Sequence, residues 1–518
     1  MKSREQLKTN KSDNYTIVSI ILAILCIAIP IIIDPETAQI FISTTYQKTV
    51  DIFGPSYMIL GIVTLLFLVL LSVSKYGKFK LGGSNSSPEF SNFSWSSMLF
   101  CSGIGGGILY WSGVEWAYYV NRPPFGIEPF SDGAYHLASA YGMFHWGLTG
   151  WALYCLPAIA IAIPFYHYKL GSLRLSSGLR TNKSSAIENS FIGRVVDFIF
   201  VIILLGASGG TIGMYVPIIG AGLSEVFGIN HDLILDLSML ALCTLMFGAS
   251  VYRGINKGIK ILSNFNVLLA LTFLTLIFFL GSFQEIIALS IEAIKSLLTN
   301  FIGMNTLGIT EQSDFADDWT IFYWAWWLAL GPQVGLFVAR ISKGRTLREL
   351  IMGMLIIGSL GCFIFFSILG NYAINLELNN QLMVSEILAN DGHQIAATAI
   401  LLQLPFGELF VLAYCLIVII FIVTSYDSVS YILSYHVKST SSEAYEPSKN
   451  MRLFWALVLA ILPACLFLIG SNRTAMDLIL LASPPLLFLS PIFAISMIKT
   501  LRNHYALEES STENNTSE

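Results

Sequence analysis

Charged residues are scarce in this sequence. Asp, Glu, Lys and Arg make up 12% of the 518 residues, whereas apolar residues make up 55%. A soluble protein of this length needs a charged surface, so the composition excludes a soluble globular protein. About twelve apolar runs reach the roughly 20 residues that cross a bilayer. We therefore expect an all-α polytopic membrane protein that is embedded in the lipid bilayer.

Motifs for catalysis and for cysteine-based metal binding are absent from the sequence. The seven cysteines include no Cys-x-x-Cys pair, which argues against a disulfide framework and against a zinc site. There is also no phosphate-binding loop, no His-Glu-x-x-His motif and no recognisable catalytic triad. We therefore predict that the protein is not an enzyme and has no organic cofactor. The net charge of −5 gives no reason to expect a nucleic-acid partner.

Basic residues are nearly missing from every second loop. If the N-terminus is placed in the cytoplasm, only four of the 28 basic residues fall in outer loops, namely Lys48, Arg122, Lys295 and Arg473. Cytoplasmic loops of membrane proteins carry the excess of Lys and Arg, so both termini are predicted to be cytoplasmic.

The predicted organisation is one membrane domain between two polar tails. The cytoplasmic tail covers 1–14, the membrane domain covers 15–500, and an acidic cytoplasmic tail covers 501–518. Within the membrane domain, the apolar run 394–432 is interpreted as a single long span.

Two of the apolar runs contain residues that break helices. The third run has four glycines and a serine between Ser102 and Gly107, and the eighth contains Gly331-Pro332, so both helices are expected to be interrupted. The two runs lie five spans apart, which predicts two five-span halves in an inverted repeat. The first half is 93–282 and the second is 319–500. Interrupted helices in such proteins border a binding site near the middle of the membrane.

Aromatic residues concentrate in the same spans. The eighth run contains Phe322-Tyr323-Trp324-Ala325-Trp326-Trp327, and the fourth contains Trp146, Trp151 and Tyr154. A quaternary ammonium ion cannot donate a hydrogen bond but is attracted to the faces of aromatic rings. The rings therefore predict a cage for such a cation. For any single ring, core packing or an interfacial aromatic belt is the alternative.

Ionisable residues inside the runs are few, and Glu115 is the acid deepest in the third run. It is predicted to contact substrate, to pair with a polar neighbour or to receive a proton, because intramembrane acids are usually functional. A position near the outer interface is the alternative. His145, beside Trp146, is equally consistent with a packing residue and a proton relay.

A second set of residues could hold a cation through oxygen atoms. Thr424 and Ser425 supply hydroxyl groups in the tenth run, and Phe421 supplies a carbonyl. A break in the third run would add the carbonyls of Cys101 and Ile104 to a sodium site. The alternative is that the two hydroxyl groups bond back to the carbonyls of their own helix.

Several motifs resemble those of the betaine/carnitine/choline transporter family. They are Gly103-Ile104-Gly105, Phe144-His145-Trp146, Phe322 to Thr346 and Thr424-Ser425-Tyr426-Asp427-Ser428. The resemblance implies a leucine-transporter-like fold of five plus five helices after two extra helices, a homotrimer, and a bacterial plasma-membrane location. It also implies substrate contacts from Trp146, Trp151, Tyr154, Trp327, Trp326 and Tyr118, and from Gly105 and Gly107 of the glycine turn.

Differences within the family indicate the substrate and the coupling ion. Gln333 is similar to the glutamine that helps to hold the substrate carboxylate in the carnitine/γ-butyrobetaine exchanger branch, whereas Leu330 stands where relatives usually have an aromatic residue. Asn266 replaces the arginine of the sodium-independent exchangers, which favours sodium symport. Choline-type members have Asp where this chain has Gly107, so its absence favours a zwitterion such as betaine or carnitine. A sodium-independent antiporter is the main alternative, and a membrane receptor that binds betaine without transporting it is the third.

Overall fold

The computed structural model describes residues 14–170, 173–184, 186–253, 258–436, 448–469 and 472–516. Except for Asn14, the predicted N-terminal tail lies outside the described residues. The rest is a bundle of α-helices, and eleven helical segments of the described part are long and apolar enough to cross a membrane. The prediction of an all-α polytopic membrane protein is confirmed.

The described residues form 22 α-helices. The first eleven are α1 (Asn14–Ile33), α2 (Pro35–Val73), α3 (Asn92–Ile104), α4 (Gly107–Ser112), α5 (Glu115–Val120), α6 (Asp132–His145), α7 (Leu148–His167), α8 (Phe191–Phe227), α9 (Leu233–Arg253), α10 (Ile259–Leu280) and α11 (Phe283–Thr310). The others are α12 (Ile321–Ile341), α13 (Leu347–Met352), α14 (Ser359–Phe365), α15 (Asn371–Leu378), α16 (Val384–Asn390), α17 (His393–Leu402), α18 (Gly407–His436), α19 (Lys449–Leu459), α20 (Ile461–Ile469), α21 (Asn472–Leu481) and α22 (Pro484–Thr516).

The third span is interrupted, as its glycines predict. Helix α3 ends at Ile104, and Gly105 has a φ of +57°. A side chain is strained in this conformation, and a Cβ at Gly105 would lie 2.6 Å from the Ser425 hydroxyl oxygen. Glycine is therefore required both for the turn and for the close approach of α18.

The predicted break at Gly331-Pro332 is wrong, because α12 continues through both residues. The glycines of this helix serve close packing against α7 instead. A Cβ at Gly335 would lie 2.7 Å from the backbone nitrogen of Ala158, and one at Gly331 would lie 3.2 Å from the carbonyl oxygen of Leu153. A proline is tolerated in a membrane helix when neighbouring helices surround it, and the whole apolar stretch of α12 is buried.

Two other boundaries differ from the sequence-based expectation. The run 394–432 forms two helices, α17 and α18, rather than one span. Pro405 accounts for the division because the residue before a proline disfavours helical geometry, and Phe406 has a φ of +62°. At the C-terminus, α22 extends beyond residue 500 into the predicted acidic tail and ends at Thr516.

Candidate functional site

A cavity lies beside the turn that interrupts the third span. Five parts of the chain form its walls: the end of α3 with its glycine turn, the α6–α7 junction, α8, α12 and α18. The lining residues are Ser102, Gly103, Ile104, Gly105, Gly106, Trp146, Tyr154, Ser208, Thr211, Tyr215, Trp326, Trp327, Leu330, Gln333, Ser425, Tyr426 and Val429.

Aromatic rings from α6–α7 and α12 form one side of this cavity. The ring of Trp146 is nearly perpendicular to that of Trp326, with centroids 5.3 Å apart, and lies 6.0 Å from that of Trp327. Tyr154 lies 4.4 Å from Trp327. Rings at steep angles around one space can present several faces to one cation. Trp146 and Trp327 therefore lie side by side at the cavity, and their role in binding a cation stays a prediction.

Trp151 and Tyr118 lie outside the lining of this cavity. The Trp151 side chain is fully buried behind Trp327, with ring centroids 5.7 Å apart, and therefore supports the cage from outside. Tyr118 is in a second aromatic cluster, where its ring lies 5.0 Å from Trp319 and its hydroxyl group is 3.1 Å from His393 Nδ1.

Two glycines allow the cage to assemble. A Cβ at Gly150 would lie 2.5 Å from Trp327 Cε2, so only glycine lets the indole lie flat against α7. Gly107 does not line the cavity, but a Cβ there would lie 2.4 Å from the Tyr215 hydroxyl oxygen and 2.9 Å from Trp146 Cη2. Gly107 is therefore packed directly against the cage.

Hydrogen bonds hold the indole rings in place. Trp327 donates its Nε1 hydrogen to the carbonyl oxygen of His145 at 2.9 Å. Trp146 donates to Glu115 Oε2, also at 2.9 Å. Rotation about the side-chain torsions would allow an indole several orientations. These hydrogen bonds select the orientation in which the rings face the cavity.

Glu115 is completely buried behind the cage and does not line the cavity. Besides Trp146, its carboxylate accepts hydrogen bonds from the hydroxyl groups of Tyr119 and Tyr323, both at 2.6 Å. The two carboxylate oxygens of one side chain can accept all three of these hydrogen bonds. Of the three predicted roles, the geometry favours pairing with polar neighbours.

His145 extends this network away from the cavity. Its Nδ1 is 3.0 Å from the Tyr119 hydroxyl oxygen, and its Nε2 is 3.0 Å from the Thr320 hydroxyl oxygen. The side chain is fully buried. Both ring nitrogens have partners on neighbouring helices, which is the arrangement of a hydrogen-bonded packing residue.

Gln333 lines the cavity two turns beyond Trp326. Its amide nitrogen donates to the Ser428 hydroxyl group at 3.1 Å, which leaves a second amide hydrogen for a ligand. Leu330, which stands where relatives usually have an aromatic residue, also lines the cavity and adds no ring to the cage.

The oxygen atoms of the predicted cation site are partly brought together. Ser425 Oγ donates to the carbonyl oxygen of Cys101 at 3.0 Å, which links α18 to the end of α3. Thr424 Oγ1 lies 3.1 Å from the carbonyl oxygen of Phe421 and 2.9 Å from that of Ile420. The Thr424 hydroxyl group thus bonds within its own helix, as the alternative interpretation has it, whereas Ser425 bonds across helices. Ile104 lines the adjacent cavity.

Sequence reasoning missed the face of α8 that completes the cavity. Ser208, Thr211 and Tyr215 are spaced by one and two helical turns and all line the cavity. The polar and small residues of Ser208-Gly209-Gly210-Thr211, within an otherwise apolar span, are the signal that could have identified this face.

Known proteins that are similar to this chain are membrane transporters. The family model for betaine/carnitine/choline family transporters matches residues 15–506. A carnitine transporter of Acinetobacter baumannii is 31% identical over 467 residues, which are 90% of this chain and 84% of that protein. A glycine betaine/proline/choline/ectoine transporter of Vibrio parahaemolyticus is 30% identical over 492 residues, 93% and 85% of the two chains. An uncharacterised transporter of Escherichia coli is 31% identical over 441 residues, 85% and 91% of the two chains. The prediction of a transporter rather than an enzyme is confirmed by these relatives.

Proposed function

The chain belongs to the betaine/carnitine/choline transporter family, and we propose that it is a secondary transporter of a zwitterionic quaternary ammonium compound. The substrate is of the glycine betaine or carnitine type. Transport proceeds by alternating access and is coupled to sodium.

The aromatic cage is the observation that carries this proposal. Trp146, Trp326, Trp327 and Tyr154 border one cavity and are each at most 6% exposed. In so dry a site, one good ring contact with a cation contributes about 2 kcal/mol. The cavity offers hydrogen-bond donors but has no acidic residue among its lining residues, which suits a ligand that carries its own carboxylate.

Sodium coupling is supported by the contact between α3 and α18. Ser425 Oγ and the Cys101 carbonyl oxygen, 3.0 Å apart, are both ligands of the kind that Na⁺ takes. An ion that replaced this hydrogen bond would fasten the glycine turn to α18 beside the cavity. Binding of ion and substrate would then favour each other, because both require the same arrangement of the turn.

Position 266 also supports sodium coupling over exchange. Asn266, on α10, is fully buried, and neither its amide nitrogen nor its amide oxygen has a hydrogen-bond partner among the described residues. A neutral amide does not supply the positive charge with which an arginine would replace an ion.

The proposal includes the membrane, the orientation and the oligomeric state of the protein. We place it in the bacterial plasma membrane with both termini in the cytoplasm, as the distribution of its basic residues favours. The family resemblance supports a homotrimer built of inverted five-helix repeats. Cysteine cross-linking of intact cells with an impermeant reagent would test the orientation.

Uptake into proteoliposomes tests the function. Labelled glycine betaine or carnitine should accumulate when sodium is higher outside and should not accumulate when potassium replaces it. Equal uptake under both conditions, with acceleration by substrate preloaded inside, would replace symport by sodium-independent antiport. No uptake of any quaternary ammonium compound under either condition would contradict the proposed function itself.

A further inference from the structure

The corner of the cavity beside Gly107 contains a donor without an acceptor. Tyr215 lines the cavity with a side chain that is 1% exposed, and its hydroxyl oxygen has no hydrogen-bond partner among the described residues. Trp111 Nε1 is also without a partner among the described residues. Since an indole nitrogen only donates, Trp111 could not accept the Tyr215 proton.

A buried hydroxyl group that keeps its proton unbonded is costly. Removing such a donor from water carries a free-energy cost when no acceptor replaces the water. The cost is recovered when a ligand supplies the missing acceptor. A carboxylate is the strongest acceptor that a zwitterionic ammonium compound can offer, and its bond to a hydroxyl group is charge-assisted.

The position of Tyr215 relative to the cage fits such a ligand. Its ring centroid lies 6.5 Å from that of Trp326, and the edges of Trp146 and Trp326 and the Tyr215 hydroxyl oxygen all lie within 3.1 Å of one point, the Cβ that Gly107 lacks. A ligand with its ammonium group between the indoles therefore has the hydroxyl group at the border of the same space. Trp326, which also lines the cavity, has a second donor, Nε1, without a partner among the described residues.

An acidic side chain at position 107 would collide with Tyr215 in this arrangement. A Cβ there would be 2.4 Å from the Tyr215 oxygen, so any side chain at this position needs the space that the hydroxyl group fills. The corner thus contains a neutral donor in place of a negative charge. A donor attracts a carboxylate, whereas a negative charge would repel it.

We propose that Tyr215 is the specificity-determining residue of this transporter, which selects zwitterions over simple cations by donating its hydroxyl hydrogen to the substrate carboxylate. This inference rests on the proposed function and adds the group that recognises the anionic end of the substrate. Gln333, two turns along α12 from Trp326, is the competing candidate for the same carboxylate.

Binding to purified protein in nanodiscs, with sodium present, tests the inference through Tyr215→Phe. The ligands are glycine betaine and carnitine, which have a carboxylate, and choline and tetramethylammonium, which have none. We expect the zwitterions to bind roughly 10- to 100-fold more weakly to the variant, which is the effect of losing one charge-assisted hydrogen bond. Affinities for choline and tetramethylammonium should change by less than about threefold, which also shows that the cage is still folded.

Two further variants make the result specific. Tyr426→Phe is the matched control, because Tyr426 lines the same cavity but its hydroxyl group already donates to the carbonyl oxygen of Ser208 at 3.2 Å. It should alter the affinities for both ligand classes by the same factor. Gln333→Met removes the competing amide while keeping the length of the side chain.

Three results would overturn the inference. They are an equal loss of both ligand classes in Tyr215→Phe, no loss of either class, and a selective loss of zwitterions in Gln333→Met but not in Tyr215→Phe. In each case the wild-type protein would still bind zwitterions, so the proposed function would stand. Wild-type protein that binds no zwitterion at all would contradict the proposed function instead.

Discussion

The two sides of the cavity are built in different ways. On the cage side, α7 and α12 are uninterrupted helices held together by glycines and indole rings, and α12 continues through Pro332. On the turn side, α3 stops at Ile104 and contacts α18 through backbone carbonyl and hydroxyl oxygens. The cage side offers ring faces for an organic cation, whereas the turn side offers carbonyl and hydroxyl oxygen atoms. The difference suggests that affinity for substrate resides mainly in the first and coupling in the second.

The largest effect is expected on the cage side, from Trp327→Ala. This change removes a ring face worth about 2 kcal/mol and also the contact that holds Tyr154, so substrate affinity should fall by roughly 100-fold or more. Isothermal titration with glycine betaine and carnitine measures the loss.

Two companion variants separate binding from folding in this experiment. Trp327→Phe keeps a ring and should recover part of the affinity. Trp455→Ala removes an equally buried indole on α19 that does not line the cavity, and it should lower thermal stability without changing affinity. Unchanged affinity in Trp327→Ala would contradict the cage.

On the turn side, Gly105→Ala should reduce uptake about tenfold. A residue with a side chain pays roughly 1–3 kcal/mol at a φ of +57° and a ψ of −147°, and the added Cβ would lie 2.6 Å from Ser425 Oγ. Initial rates in proteoliposomes measure the change.

Pro332→Ala is the matched variant on the other side. It should change uptake by less than about threefold, because α12 is already continuous there. A larger effect at Pro332 than at Gly105 would reverse the comparison between the two sides.

Glu115→Gln should weaken substrate binding by about tenfold. An amide can accept through one oxygen only and turns its own N–H groups towards donors, so the bond that orients Trp146 loses strength. Glu377→Gln is the control, since this buried carboxylate also accepts from a tyrosine, Tyr135 at 3.0 Å, but lies outside the cavity lining. Both variants should melt at lower temperature, and only Glu115→Gln should lose affinity. Equal affinities in the two variants would assign Glu115 a purely structural role.

The interruption of α3 could be predicted from the sequence, whereas the continuity of α12 through Pro332 could not. Ser102 to Gly107 carries enough glycine for the break to be a local property of the chain. Gly331-Pro332 looks similar, but its effect depends on α7, which approaches so closely that the glycines are needed for contact. Whether a glycine relieves backbone strain or makes room for a neighbour is decided by tertiary packing, which local patterns do not contain.

The roles of individual aromatic residues show the same limit. The density of tryptophans predicted a cage, and Trp146 and Trp327 do meet at the cavity. Trp151 also packs on Trp327 but from behind, and Tyr118 lies in another cluster. Trp151 and Tyr154 are three residues apart on α7, about 60° around the helix axis, yet only Tyr154 lines the cavity. Tyr215 was missed because a single tyrosine in an apolar span has no distinctive pattern until its neighbours are known.

The smallest effect is expected from Ser425→Ala on the turn side. Loss of one neutral oxygen ligand should raise the sodium concentration for half-maximal uptake by roughly fivefold, since a neutral hydrogen bond or ligand contributes about 1 kcal/mol. Substrate affinity at saturating sodium should stay nearly constant, because Ser425 contacts the turn rather than the rings. Ser434→Ala, on the same helix and bonded only to the carbonyl oxygen of Ser430 at 2.7 Å among the described contacts, is the control and should leave the sodium dependence unchanged. If Ser425→Ala instead weakened substrate binding at every sodium concentration, affinity and coupling would not be divided between the two sides of the cavity.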